Sequence, residues 1–403
     1  MINLFLMIAF TVGFIMAFSI GANDVANSMS TAVGARAITV RQAVIIAAIL
    51  EFLGAVMFGS HVVTTITRGI VKPEVMNDTK AVLAGALAAL LGSSIWILLA
   101  TIWGMPVSTT HSIVGGMAGF GIASAGLNAI NWSKMISIFA SWILSPLAGW
   151  LLAYVVFKLI SYAILRKPDP IGAMKKAIPV IIFTTFFIIC FLFMLKTLKM
   201  KATKSFLISL IVSIVASLAG TFLLRRLDTN SSDSYEFVEA VFKRLQVMTS
   251  CYVSFSHGAN DVANAVGPLA LIYWIVSYGS VVQKILVPTW LLALGGLGIS
   301  VGVLFLGYKV MKTVGEEITQ LNNSRGFCID FSTASTVLIA SVLGFPISTT
   351  HVVVGSVVGV GMARGVELVN VGVLKNILIS WFATVPVAAF ASAGIYLLIY
   401  RFI

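Results

Sequence analysis

The sequence predicts an all-α, polytopic membrane protein of about twelve transmembrane segments, built as two inverted-topology repeats with broken or re-entrant helices. Three observations carry this expectation. First, 59% of the 403 residues are hydrophobic and 10% are charged, with a mean hydropathy of +1.04, which excludes an ordinary soluble domain. Second, apolar runs long enough to cross a bilayer recur along the whole chain. Third, the stretch Gly21-Ala-Asn-Asp-Val-Ala-Asn27 returns unchanged as Gly258-Ala-Asn-Asp-Val-Ala-Asn264. Identity of that length in two places is very unlikely to be chance.

In chain order, the apolar segments cover about 3–30, 41–66, 80–103, 107–126, 133–165, 176–196, 204–226, 236–277, 285–313, 327–345, 347–364 and 372–401. The first has no basic leader and no cleavage site, so it reads as a retained helix and not a cleaved signal. The fourth and eleventh are short and rich in glycine, the pattern of re-entrant or broken segments. The eighth is too long for one straight crossing and is expected to break near Ser256-His257-Gly258.

The repeat extends beyond the opening motif. Gly104-Met-Pro-Val-Ser-Thr-Thr-His111 returns as Gly344-Phe-Pro-Ile-Ser-Thr-Thr-His351, and Trp142 and Pro146 return as Trp381 and Pro386. These matches divide the chain into an N-terminal repeat, 1–165, a linking segment with two transmembrane helices, 166–235, and a C-terminal repeat, 236–403. The motif opens segment one and its copy opens segment eight. If all twelve segments cross, that odd offset sets the halves upside down to each other, with the site between them near the midplane. The polar loop Asp228–Ser234 is too short for a folded domain, and no phosphate-cradling Gly-rich loop with its Lys appears, so a nucleotide-driven pump is excluded.

The net charge of +12 raises nucleic acid as a partner. The Lys and Arg residues lie between apolar runs without interleaved aromatics, so they read as loop charge that orients a membrane protein. Placing both termini outside puts most of the 26 Lys and Arg on the inner side, although Lys196, Lys199, Lys201 and Lys204 pull the other way. Cys190, Cys251 and Cys328 form no metal spacing and read as packing residues.

Asp24 and Asp261 are acids at membrane depth, where such residues usually line an ion or substrate pathway. Asp24 shares a helix face with Asn27, and Asp261 with Asn264. Gly21 and Gly258 are expected to let the backbone bend and free carbonyl oxygens. Carboxylate, amide and carbonyl oxygens are hard ligands that suit Na⁺. The plainer reading is that these side chains only hold helices together by hydrogen bonds; a paired acid in lipid is hard to explain that way.

In the second motif, Pro106 and Pro346 fit the first turn of a helix. Ser108, Thr109 and Thr110, with Ser348, Thr349 and Thr350, then offer hydroxyls and free N–H groups at a helix start, which is an anion cradle. Neither motif holds Lys or Arg. A doubly charged oxyanion beside two aspartates is stable only if cations, about two or three by neutralisation, enter with it. That requirement is cotransport.

Both pairs of motifs resemble the inorganic phosphate transporter family, and the resemblance covers both halves. It implies a dimeric symporter with inverted repeats, no cofactor, and Na⁺ as coupling ion. It implies that phosphate contacts Asn27, Ser108, Thr109, Thr110, Asp261, Asn264, Ser348, Thr349 and Thr350. It also implies that sodium sits by Ala22, Asn23, Asp24, Asn260 and Asp261. The short central loop points to a prokaryotic member in the cytoplasmic membrane. The resemblance marks Glu51, His257 and Asp330 as transport-relevant. From residues alone, an ion or proton role for Glu51 and Asp330 stands beside a structural hydrogen bond; their repeat-equivalent positions hold Leu291 and Leu90. His111 and His351 read as hydrogen-bonded packing residues. A proton-coupled phosphate or sulfate permease of the same family fits the same residues. From another class, an anion channel shares broken helices and polar lining. A membrane hydrolase would need a nucleophile–base spacing that is not present.

Overall fold

The computed structural model describes residues 2–60, 63, 69–72, 75, 77–225, 234–279, 287–312, 321–343, 345, 347–365 and 370–402. Among these, structure beyond helices and turns amounts to one isolated bridge, Val71 to Ile130. The fold is all-α. The long helices are α1 (Ile2–Gly34), α2 (Val40–Phe58), α3 (Thr79–Ile102), α4 (Thr109–Ala125), α5 (Trp132–Ile160) and α6 (Pro170–Leu192). They continue with α7 (Ala202–Arg225), α8 (Ser234–Tyr278), α9 (Thr289–Leu306), α10 (Asn323–Val342), α11 (Thr349–Arg364) and α12 (Val371–Ile399). A one-turn helix, Tyr308–Lys312, follows α9.

Polar side chains fix most starts. Thr39, Asp78, Asn131, Asp169, Asn322 and Asn370 each cap the helix that follows, accepting from a first-turn backbone N–H. Each long helix overlaps one predicted segment. Among the described residues, nine helices are long and apolar enough to span a membrane. Helices α4 and α11 have 17 and 16 residues, about 25 Å at 1.5 Å per residue, against a hydrocarbon core of about 30 Å. They are the segments whose shortness and glycine content set them apart. Helix α10 has the length but carries Asn323, Arg325, Asp330 and several hydroxyls.

The expected break in the eighth segment is corrected. Helix α8 runs unbroken for 45 residues, about 67 Å. Its length is absorbed by a charged first third with Glu236, Glu239, Lys243 and Arg244, not by a bend at Gly258. Helix α1 is likewise continuous through Gly21. The two glycines therefore do not free carbonyls by bending. They allow close contact: a Cβ on Gly21 would run into the backbone carbonyl of Ile299 on α9, and one on Gly258 into that of Glu51 on α2. The crossings α1/α9 and α8/α2 are thus alike. They put Ile299 in the place that Glu51 holds, rather than the Leu291 that a constant offset assigns.

Helices α1 and α8 run through the centre. Helix α4 packs on α12 and α3, and α11 on α5 and α10. Large apolar side chains face outward on the peripheral helices, with Phe382 81% and Phe390 80% exposed. The interior beside α1 and α8 is rich in buried Ser, Thr, Asn and Asp. This inversion suits a chain whose solvent is lipid.

Gly258→Val would force α2 and α8 apart. It should cost about 1–3 kcal/mol, the range for overpacking a tight contact. Thermal unfolding of the purified variant in detergent should begin at a lower temperature than for the parent.

Candidate oxyanion and cation site

The site forms where the starts of α4 and α11 meet the middle of α1 and α8. Ser108 and Ser348 are the N-caps. Their hydroxyls accept from the amides of His111 at 3.1 Å and His351 at 3.3 Å. Capping thus engages the acceptor side of both serines. Pro106 lies two residues before the cap, in the approach to α4 and not in its first turn as expected, while Gly344 and Pro346 lie outside the described residues.

The next two residues of each turn reach the aspartates. Thr109 Oγ1 donates to Asp24 Oδ2 and Thr349 Oγ1 to Asp261 Oδ2, both at 2.7 Å. Thr350 Oγ1 lies 3.3 Å from Asp24 Oδ1, and Thr110 Oγ1 lies 3.4 Å from Asp261 Oδ1. Each aspartate is therefore met by one threonine from either turn. Asn27 Nδ2 donates to Asp24 Oδ1 at 2.8 Å and to Thr350 Oγ1 at 2.9 Å. Asn264 Nδ2 donates to Asp261 Oδ1 at 3.0 Å and lies 3.3 Å from Thr110 Oγ1. All of these residues are buried.

Asn23 and Asn260 secure the chain before each turn. Asn23 Nδ2 donates to Thr101 Oγ1 and Met105 O, and its Oδ1 accepts from Val107 N. Asn260 Oδ1 accepts from Ser341 Oγ at 2.9 Å, and its Nδ2 donates to Asp261 Oδ1 at 3.1 Å. The carbonyl of Ala22 lies within unbroken α1.

His257 occupies the centre. Its Nε2 is 3.0 Å from Asp261 Oδ2 and 3.5 Å from Asp24 Oδ2, and its Nδ1 is 3.1 Å from Glu51 Oε2. Ser28 Oγ lies 3.3 Å from Glu51 Oε1. One ligand atom each from Asp24, His257 and Asp261 lie within 4.8 Å of one another. The charge balance drawn from the motifs is corrected here: without Lys or Arg, the site still holds an imidazole that can carry a positive charge. The copies differ at this position, Ile20 against His257, and that difference was the signal for it.

Asp330 lies apart. Thr31 Oγ1 donates to its Oδ1 at 2.6 Å and Ser250 Oγ to its Oδ2 at 2.5 Å. Thr31 lies about 10 Å along α1 from Asp24, so Asp330 does not join the central cluster. His111 and His351 also stay out of it. Their rings stack on Trp142 and Trp381 with centroids 3.6 Å apart in both cases, as the packing reading expected.

A buried, charged cluster inside apolar crossing helices defines a multi-pass membrane protein with an ion or substrate pathway. Comparison with known proteins narrows this. The profile of the phosphate transporter family matches residues 20–392, and the chain belongs to that family. A solved structure titled "The sodium-dependent phosphate transporter" superposes with a TM-score of 0.95. It is 57% identical, and the match covers 99% of this chain and 100% of that one. A Thermococcus kodakarensis protein provisionally named a phosphate permease is 50% identical over 397 residues, 97% of either chain. The chloroplastic inorganic phosphate transporter 2-1 of Arabidopsis thaliana is 38% identical, over 94% of this chain and 69% of its own.

Replacing His257 by Leu leaves Asp24, Asp261 and Glu51 buried without their shared imidazole. Breaking a buried charged cluster costs about 3–5 kcal/mol. The variant should unfold at a clearly lower temperature in detergent; an unchanged midpoint would mean that the imidazole does nothing for the acids.

Proposed function

We propose that the protein is a secondary active symporter that brings inorganic phosphate into a prokaryotic cell with Na⁺. It works as a homodimer in the lipid of the cytoplasmic membrane, with both termini outside. Residues 1–165 and 236–403 are the two halves that move around the shared site, joined by 166–235. Phosphate takes the hydroxyls and first-turn N–H groups of Ser108, Thr109, Thr110, Ser348, Thr349 and Thr350, with Asn27, Asn264 and Asp261. Sodium ions sit by Asp24 and Asp261, with further oxygens from Ala22, Asn23 and Asn260. Glu51, His257 and Asp330 act as accessory groups. No covalent chemistry and no cofactor are assigned.

One observation carries this reading: the hydroxyls that suit an oxyanion are bonded directly to both aspartates. An anion that takes those donors meets two carboxylates. At about 4 Å and an effective dielectric constant of about 20, each pair of like unit charges costs about 4 kcal/mol. A penalty of that size for each acid removes measurable binding unless cations come too. A protonated His257 supplies one positive charge, and sodium supplies the rest. The family and the sodium-dependent structural relative point the same way. His257 among three carboxylates also favours a second reading, in which H⁺ replaces Na⁺ as the coupling ion.

Labelled phosphate uptake into proteoliposomes at fixed pH separates these. An inward Na⁺ gradient should drive phosphate above equilibrium, and replacing Na⁺ by K⁺ should abolish the accumulation. Accumulation in K⁺ driven by a pH gradient would select the proton reading, and flux that never exceeds equilibrium would select a channel. Excess sulfate as competitor tests the choice of anion. Asp24→Asn should reduce Na⁺-driven uptake at least a hundredfold while the protein still elutes as a folded species. Normal uptake by that variant would count against the scheme.

A further inference from the structure

Four buried rings lie behind the Ser-Thr-Thr turns. Trp142 on α5 stacks on His111 of α4, with an interplanar angle of 29°. Trp381 on α12 stacks on His351 of α11, at 20°. The two imidazoles meet edge to face, with centroids 4.3 Å apart and planes at 73°. The result is one continuous column, Trp142–His111–His351–Trp381. His351 Nδ1 also lies 3.3 Å from the carbonyl oxygen of Trp142, which ties α11 to α5. All four residues are buried, none more than 8% exposed. Among the described residues, the acid-to-imidazole contacts go to His257, so this column stands outside the charged cluster.

The column is placed to govern the cradle. His111 and His351 are the third residues of α4 and α11, directly after Thr110 and Thr350. Successive residues on a helix point about 100° apart, so the threonine faces the aspartates while the histidine faces away. On the site side, the turns exchange contacts: Thr110 Oγ1 lies 3.2 Å from Ile347 O, and Thr350 Oγ1 lies 3.2 Å from Val107 O. On the far side, their one direct ring contact is the pair of imidazoles. The Trp rings clamp that pair from α5 and α12. The separation of the two helix starts is therefore fixed on one face by hydroxyls that the substrate must share, and on the other by rings that it never touches.

We propose that Trp142 and Trp381, acting through His111 and His351, are positioning residues that set the spacing of the two turns and so the affinity for phosphate. This rests on the phosphate-transport reading above. When the hydroxyls turn from the aspartates to the anion, the column keeps both helix starts at the distance at which the anion can reach both.

The test is the KM and Vmax of phosphate uptake in proteoliposomes at saturating Na⁺, normalised to folded protein. Trp142→Leu and Trp381→Leu keep an apolar side chain and remove the ring. Each should raise the phosphate KM about two- to tenfold, the fold-change that corresponds to about 0.5–1.5 kcal/mol for one aromatic pair, with Vmax within about twofold of the parent. Trp142→Phe and Trp381→Phe keep a ring to stack and should restore the parental KM. The double Leu variant should raise KM by less than the product of the single effects, because the rings form one column. A purely structural role predicts less folded protein with an unchanged KM. Parental KM in the folded Leu variants, Phe variants as impaired as the Leu variants, or multiplicative effects in the double variant would each overturn the proposal. Should Leu prevent folding, His111→Gln removes an inner ring and keeps an amide in its place; a raised KM supports the column and a parental KM overturns it. A parent without sodium-driven uptake would overturn both the transport reading and the role built on it.

Discussion

Two carboxylates share one buried volume with the hydroxyls that an oxyanion needs. That crowding is the constraint from which the rest of the structure follows. Asp24 and Asp261 come from the middle of the two central helices, and both are reached by threonines from both turns. In lipid, such a cluster persists only if every charge is answered by a donor or an ion. Asn27, Asn264 and the four threonines answer it in the arrangement described here. In the proposed symport, cations answer it when the hydroxyls are given up to a substrate.

The close glycine crossings serve the same end. Gly21 and Gly258 let α9 and α2 press against the helices that carry the acids. Both central helices are continuous through the acids, and the turns that open α4 and α11 bring the hydroxyls to them. The contacts on the two sides of the cluster correspond closely, yet the charges do not: His257 and Glu51 stand where the other half has Ile20 and Ile299. The pathway is nearly two-fold in its hydrogen bonds and one-sided in its charge.

Much of this was legible in the sequence because it rests on exact repetition. Both Asn-Asp helices, both Ser-Thr-Thr turns, the helical class and the placement of the long helices follow from identical residues and apolar run length. What was not legible depends on contacts between segments far apart in the chain. Gly258 looked like a hinge because glycine permits bending, and only the neighbouring Glu51 backbone reveals that closeness, not flexibility, is what it supplies. Apolar run length alone does not say which segments cross: α4 and α11 are shorter than a full hydrocarbon core, and α10 carries Asn323, Arg325 and Asp330 within its span. His257 was flagged, but its bridging of Asp24, Asp261 and Glu51 arises from three helices meeting. The Thr31–Asp330–Ser250 contacts have no counterpart in the repeat that could have announced them.

In the proposed mechanism, phosphate and cations enter this cluster together or not at all. Equilibrium binding of labelled phosphate to the purified protein in detergent, titrated with NaCl at constant ionic strength with choline as the replacement, tests it most directly. No measurable phosphate binding is expected in choline, with an affinity that rises steeply as Na⁺ is added. Phosphate bound equally tightly with and without Na⁺ at neutral pH would contradict it.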